Sequence, residues 1–240
     1  MHNQQSESLP NPEIIQETDR FLAVIKPGGL LTQAPSGIDS MEVRVKQYLA
    51  AQTGNRGKVY LGIPHRLDRP ASGVMVFAKD KKTARFFAEQ FQQRLVGKQY
   101  LAIVQGQPTS DRGSWTDNMR KIPGEARSEI CPPTQTGAQE AVLHFEQQPL
   151  DAQASQLLIQ LETGRSHQIR LQSSSRGFPI WGDELYGSQI PYGPQTDDLR
   201  SRWIALHAWK LEICSPDTKQ PVQFTAQVPT YWPPTEDPKA

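Results

Sequence analysis

The most constraining feature of the chain is Pro64-His65-Arg66-Leu67-Asp68-Arg69-Pro70-Ala71-Ser72-Gly73, followed at once by the apolar run Val74-Met75-Val76-Phe77-Ala78. Two prolines stiffen the stretch, a glycine closes it, and a short apolar run bounded in this way reads as a buried strand. The spacing predicts a rigid loop delivering one carboxylate, Asp68, between two guanidinium groups, Arg66 and Arg69. Cations close in space favour the ionised form of a carboxylate. A loop fixed by a scaffold is also where chemistry concentrates. A structural Arg/Asp cluster at a turn would look the same from composition alone.

The rest of the chain must build the scaffold. Ile14-Ile15 and Phe21 to Ile25 read as two short strands, and Lys26-Pro27-Gly28-Gly29 ends the second with turn chemistry. Ser40 is placed to cap an amphipathic helix over 41–52. Asp80 is placed to cap another, with Ala84, Phe87, Ala88, Phe91 and Leu95 as its apolar face. Lys98 to Val104 reads as a strand, and Ala141 to Phe145 and Leu157 to Leu161 read as a pair, with Gln156 and Gln160 opposite the apolar face. Residues 107–140 fit a β-hairpin arm or a variable insertion. In Thr163-Gly164-Arg165-Ser166-His167-Gln168-Ile169-Arg170-Leu171, Ser166 is expected to cap a short helix ending near Gly177. A last strand is expected over 222–228.

The chain has 240 residues and a net charge of +1, so total charge names no partner. Its distribution is uneven. Residues 56–127 hold 14 basic and 6 acidic side chains, so the basic excess surrounds and follows the Asp68 loop. Such a face suits phosphate, although solvation alone would also accommodate it. Cys131 and Cys214 have no metal or disulfide spacing, and no apolar run reaches the roughly 20 residues of a membrane span. A reducing, cytoplasmic setting is the default expectation, with no metal.

His-Arg-Leu-Asp followed by Ser-Gly and an apolar strand resembles the catalytic motif of the RluA-type RNA pseudouridine synthases, with Ala71 where that family usually has Thr. Lys-Pro-x-Gly-Leu at 26–30, Lys-x-Tyr-x-Ala-x-Val-x-Gly at 98–106, Gly-Arg-Ser-His-Gln-Ile-Arg at 164–170 and Gly-x-Pro-Ile-x-Gly-Asp-x-x-Tyr-Gly at 177–187 resemble further motifs of that family in the same order. Leu206-His207-Ala208 is similar to its closing strand.

The resemblance implies an α+β fold: a single pseudouridine synthase-like catalytic domain at 13–230, with a mixed, largely antiparallel sheet, flanking helices and a central RNA-binding cleft. Residues 1–12 are expected to be a disordered tail and 231–240 a Pro-rich tail. The resemblance makes Asp68 the catalytic residue, packs Tyr100 and Ile169 against the nucleotide, and pairs Arg170 with Asp68. It assigns Arg66 to the space left by an extruded base, and His65 to holding the loop. Arg69, Arg165 and His167 are expected beside them in RNA binding. It implies RNA (ribosomal or transfer) as partner; no metal cluster, dinucleotide fingerprint or phosphate loop is evident, so no cofactor is expected, and a monomer with no obligate protein partner is the default expectation. The alternative is a catalytically silent RNA-binding protein on the same fold. A hydrolase of small substrates is disfavoured, because no second acid/base carboxylate motif accompanies Asp68.

Overall fold

The structure is a computed structural model that describes residues 9–54 and 59–235. The tail expected at 1–12 therefore falls partly outside the described residues, as does the end of the 231–240 tail.

Among the described residues, ten strands form one sheet. Strands β1 (Glu13–Glu17), β2 (Phe21–Lys26), β3 (Ser72–Ala78), β4 (Gly97–Gln105) and β5 (Arg112–Lys121) are followed by β6 (Ser128–Ile130), β7 (Gln139–Asp151), β8 (Ala154–Leu161), β9 (Leu206–Cys214) and β10 (Pro221–Thr225). Their spatial order is β1-β2-β3-β9-β4-β8-β7-β5-β6, with β10 beside β9. All pairings are antiparallel except β3 with β9, which touch in parallel at Ser72–His207 and Gly73–Ala208. The sheet is thus mixed and largely antiparallel, and the fold is α+β.

Helix α1 (Met41–Thr53) starts where Ser40 Oγ accepts the Val43 N–H at 3.3 Å and stops at Gly54 in the left-handed region. Helix α2 (Lys81–Gln92) starts at Asp80, which accepts the Thr83 N–H at 2.8 Å. Its buried face differs from the expected one. Ala88 is exposed, and Leu95 lies beyond the helix, 65% exposed. Gln90 is buried instead, because its amide donates to Cys214 O and accepts from Cys214 N on β9. A side chain that satisfies a strand's backbone in both directions can displace an apolar one from the interface.

Two apolar clusters flank the sheet. One gathers α1, α2, β2 and β3 around Phe21, Phe77 and Phe87. The other gathers β4, β7, β8 and the start of β9 around Ile103, Leu143 and Ile159. Tyr100 packs against both, so it marks their seam. Trp232 lies inside the segment expected to be a tail, yet it is buried in the second cluster and donates its indole N–H to Gln156 Oε1 at 2.8 Å. That bond also accounts for Gln156 being buried rather than facing water.

Residues 107–140 form a hairpin. Strand β5 turns back into β6 with Met119 opposite Ile130, and it also pairs with β7 along most of its length.

Candidate active site

The Asp68 loop is clamped to the turn after β2. Lys26 is fully buried, and its ammonium donates to Pro27 O, Leu30 O and Arg69 O at 2.9, 2.7 and 3.1 Å. Burial pushes its pKa down to about 7, opposed by the charge of Asp68. Three carbonyls match the three N–H donors of an ammonium. The Thr32 hydroxyl accepts the Leu67 N–H and donates to Leu67 O. Beyond the loop, Gly73 has φ +122, and a Cβ there would lie 2.3 Å from Ala208 O. Only glycine lets β3 come this close to β9. Next to it, Ser72 Oγ meets His207 Nδ1 at 2.8 Å.

This clamp presents Asp68 at the neck between two cavities of about 870 Å³ each. Tyr100, Ile169, Leu206 and Phe91 form apolar parts of the first, and Arg66, Arg94, Lys98, Lys121 and Arg165 bring cations to it. The second lies toward residues 182–185 and 199–204. Gln33, Arg66, Leu67, Asp68, His167 and Arg170 border both.

The segment 163–170 arrives from the opposite side. Helix α3 spans only Gln168–Ser174, and its N-cap is His167 at φ +56, not Ser166. No side chain caps this helix; Gln168 Oε1 instead accepts the Arg165 N–H at 3.0 Å and the Thr163 hydroxyl at 2.8 Å, which fixes the turn that precedes it. The turn aims His167 Nε2 at Asp68 Oδ2, 3.8 Å away, while Nδ1 meets the Tyr186 hydroxyl at 2.9 Å. Burial lowers the pKa of His167, against the pull of Asp68.

Arg170 is buried, and its Nη1 stands 3.4 Å from Asp68 Oδ2, so the expected pair is present. Its shorter bonds go elsewhere. Nε and Nη2 form a fork on the two oxygens of Asp183, both at 2.7 Å. Burial works against the Arg170 charge, but the hydrogen bonds and charge of Asp183 outweigh it and hold its pKa above the usual value. Asp183 is the site residue that sequence reading missed. Tyr186 is another, because its hydroxyl accepts the Ser128 N–H at 2.9 Å and ties β6 to His167.

The other expected residues separate. Asp68, Arg66, Tyr100, Arg165, His167, Ile169 and Arg170 all line the first cavity. Burial and then the charge of Asp68 raise the pKa of Tyr100, so it stays a phenol at neutral pH. His65 also lines that cavity, but its Nε2 accepts the Val76 N–H at 3.0 Å and its ring stacks on Phe91. That is a loop-holding role rather than an exposed RNA contact. Burial lowers its pKa to about 3. Arg69 turns away from the first cavity. It donates to Gly29 O at 2.9 Å and to Ser201 Oγ at 3.2 Å, which makes it a brace between loops. Ala71 is buried in the second apolar cluster.

The Asp68 carboxylate thus stands where two cavities meet, beside a buried arginine and next to an apolar pocket with a basic rim, and that rim suits a polyanion. Residues 20–175 match the family described as RNA pseudouridylate synthase, and the chain belongs to that family. It is 37% identical over 220 residues to the dual-specificity RNA pseudouridine synthase RluA of Vibrio vulnificus, covering 86% of this chain and 79% of the relative. It is 29% identical to the tRNA pseudouridine synthase C of Haemophilus ducreyi, covering 92% of each. The chain spans 66% to 69% of the length of several other curated relatives, among them ribosomal large subunit pseudouridine synthases. The fold is also that of human RNA pseudouridylate synthase domain containing 4, with a TM-score of 0.74 at 22% identity, over 91% of this chain and 89% of that one. Among the described residues, no helix is long and apolar enough to cross a membrane.

Proposed function

We propose that the chain is an RNA pseudouridine synthase that isomerises a uridine in structured ribosomal or transfer RNA, with Asp68 as nucleophile. The single observation that carries this reading is the convergence of Asp68, Tyr100, Ile169 and Arg170 on one cavity from three separate segments. The relatives' names supply the substrate class.

The chemistry breaks the N1–C1′ bond, turns the base and joins C5 to C1′. The proton on C5 leaves, and N1 ends with a proton, so atoms and electrons balance without a redox partner. Asp68 attacks the nucleotide and later departs, splitting one hard step into two easier ones. Arg170 offsets the cost of holding that carboxylate beside an apolar pocket. Tyr100 and Ile169 pack against the uracil, and the phenol of Tyr100 stacks without carrying charge. The base must leave its stack to reach Asp68, and exposed Arg66 on the rim stacks in the gap and reaches phosphate. Arg165 and His167 hold the RNA backbone at the same rim. The protein works as a cytoplasmic monomer.

The test is tritium release from transfer and ribosomal transcripts carrying C5-tritiated uridine. Release from one transcript, lost in Asp68→Asn, is the expected result. Release unchanged in Asp68→Asn overturns the nucleophile assignment. RNA binding with no release from any transcript points to a silent binding protein.

A further inference from the structure

We propose that the second cavity is a binding site for the nucleotide adjacent to the target uridine, so that the RNA strand crosses the Asp68 neck with one residue on each side. The inference rests on the functional reading above.

The substrate is a link in a polymer. A uracil seated in the first cavity leaves its ribose at Asp68, and the strand must then depart from that neck. The second cavity opens from the same neck, sharing Gln33, Arg66, Leu67, Asp68, His167 and Arg170 with the first. Its volume of about 870 Å³ falls within the range of small-molecule sites, which suits a single nucleotide.

The lining has the chemistry of a nucleotide. Leu185 and Leu199 border the cavity from two separate turns and remain 46% and 63% exposed, so apolar surface faces it from two sides. An apolar side chain offers contact to a base face without reading its edge. Arg200, exposed next to Leu199, offers a guanidinium to phosphate. The acidic side chains of that wall are already engaged. Asp183 is held by Arg170 and Glu184 by Arg202. Arg69 is braced against Gly29 and Ser201, and Asp198 stands 3.7 Å from it outside the lining. Among the described residues, the lining cations that make no ion pair are Arg66 at the neck and Arg200 at the far side.

The experiment uses whichever transcript releases tritium with the full chain, prepared also with an abasic site directly 5′ or directly 3′ of the target. Leu199→Ser combined with Arg200→Ala is expected to lower kcat/KM about tenfold through KM, with kcat at saturation retained. One of the two abasic substrates is expected to cost the unaltered protein a similar factor and the double variant nothing more. Arg200→Ala alone is expected to reduce the slope of log affinity against log salt by about one. Unchanged kcat/KM in the double variant overturns the proposal. So do losses that multiply for both neighbours, which would mean that the cavity reads neither. If no transcript releases tritium with the unaltered protein, the functional reading has failed, and this inference falls with it.

Discussion

Asp68 and Asp183 approach the same guanidinium, and the fold treats them differently. Asp183 sits in the 178–187 segment with its side chain 2% exposed and both oxygens on Arg170 at 2.7 Å. Asp68 sits in the 64–73 loop with its side chain 26% exposed and one oxygen 3.4 Å from the same arginine. The first geometry is that of a structural fork. The second leaves a carboxylate paired but uncommitted, as the nucleophile proposed above would require. Asp183 in effect fixes where the arginine points, and Asp68 uses the charge that results.

Exchanging the two carboxylates for amides separates these roles. Asp68→Asn removes the oxygen proposed as the nucleophile while keeping shape, so turnover in the tritium assay is expected to fall about 10³-fold or more. The thermal midpoint is expected to stay near that of the unaltered protein. Asp183→Asn should show the reverse emphasis. It strands a buried guanidinium with a weaker partner, which costs about 3 kcal/mol of stability in urea denaturation. Activity falls in that variant as well, because Arg170 loses its anchor. A stable Asp183→Asn protein with full activity would sink the division of labour.

A smaller effect tests how the 178–187 segment reaches the hairpin. Tyr186→Phe leaves the buried Ser128 N–H without its 2.9 Å acceptor and frees His167 Nδ1. The expected cost is about 2 kcal/mol, with faster amide exchange at Ser128 than elsewhere in β5 and β6. Protection at Ser128 equal to that of the unaltered protein would show that the hydroxyl holds nothing.

The asymmetry between the two loops also explains what the sequence disclosed. Strands and capped helices were legible because their signals are local: apolar runs at 21–25 and 74–78, and Ser40 or Asp80 just before a helical pattern. The motif residues were legible through resemblance, and most of them meet at one cavity. Asp183 was in view as part of a Gly-Asp pair, but its partner is thirteen residues away, and nothing local announces a fork. The Tyr186 bond to Ser128 spans 58 positions. Lys26 read as turn chemistry, since its three carbonyl acceptors converge only after folding. Ser166 misled because the chain enters the helix one residue later, through His167 in the left-handed region, and Gln168 holds the preceding turn through the Arg165 N–H. Arg69 misled for a related reason, being adjacent in sequence to Asp68 but directed at Gly29 and Ser201.

The smallest expected effect concerns the fastening of the Asp68 loop, which depends on pH. Four residues after Asp68, Ser72 meets His207 Nδ1, and His207 Nε2 faces Ala226 O at 3.2 Å. A carbonyl only accepts, so Nε2 carries the proton and Nδ1 accepts from the serine hydroxyl. Burial pushes the pKa of this ring down to about 4, from an ordinary value of 6.5. Between those values the unfolded chain binds a proton that the folded one refuses. The stabilisation is therefore whole above pH 6.5 and is lost as the pH falls toward 4, at about 1 to 2 kcal/mol between pH 7 and pH 5. His65, lowered to about 3, adds a second loss of the same sign. His207→Gln should shrink the difference in unfolding free energy measured at pH 7 and pH 5, although it also lowers stability at pH 7. An undiminished difference would mean that the ring already carries a proton in the folded state. The Ser72 hydroxyl would then have to turn its lone pair toward His207, and the tautomer assigned to this fastening would be wrong.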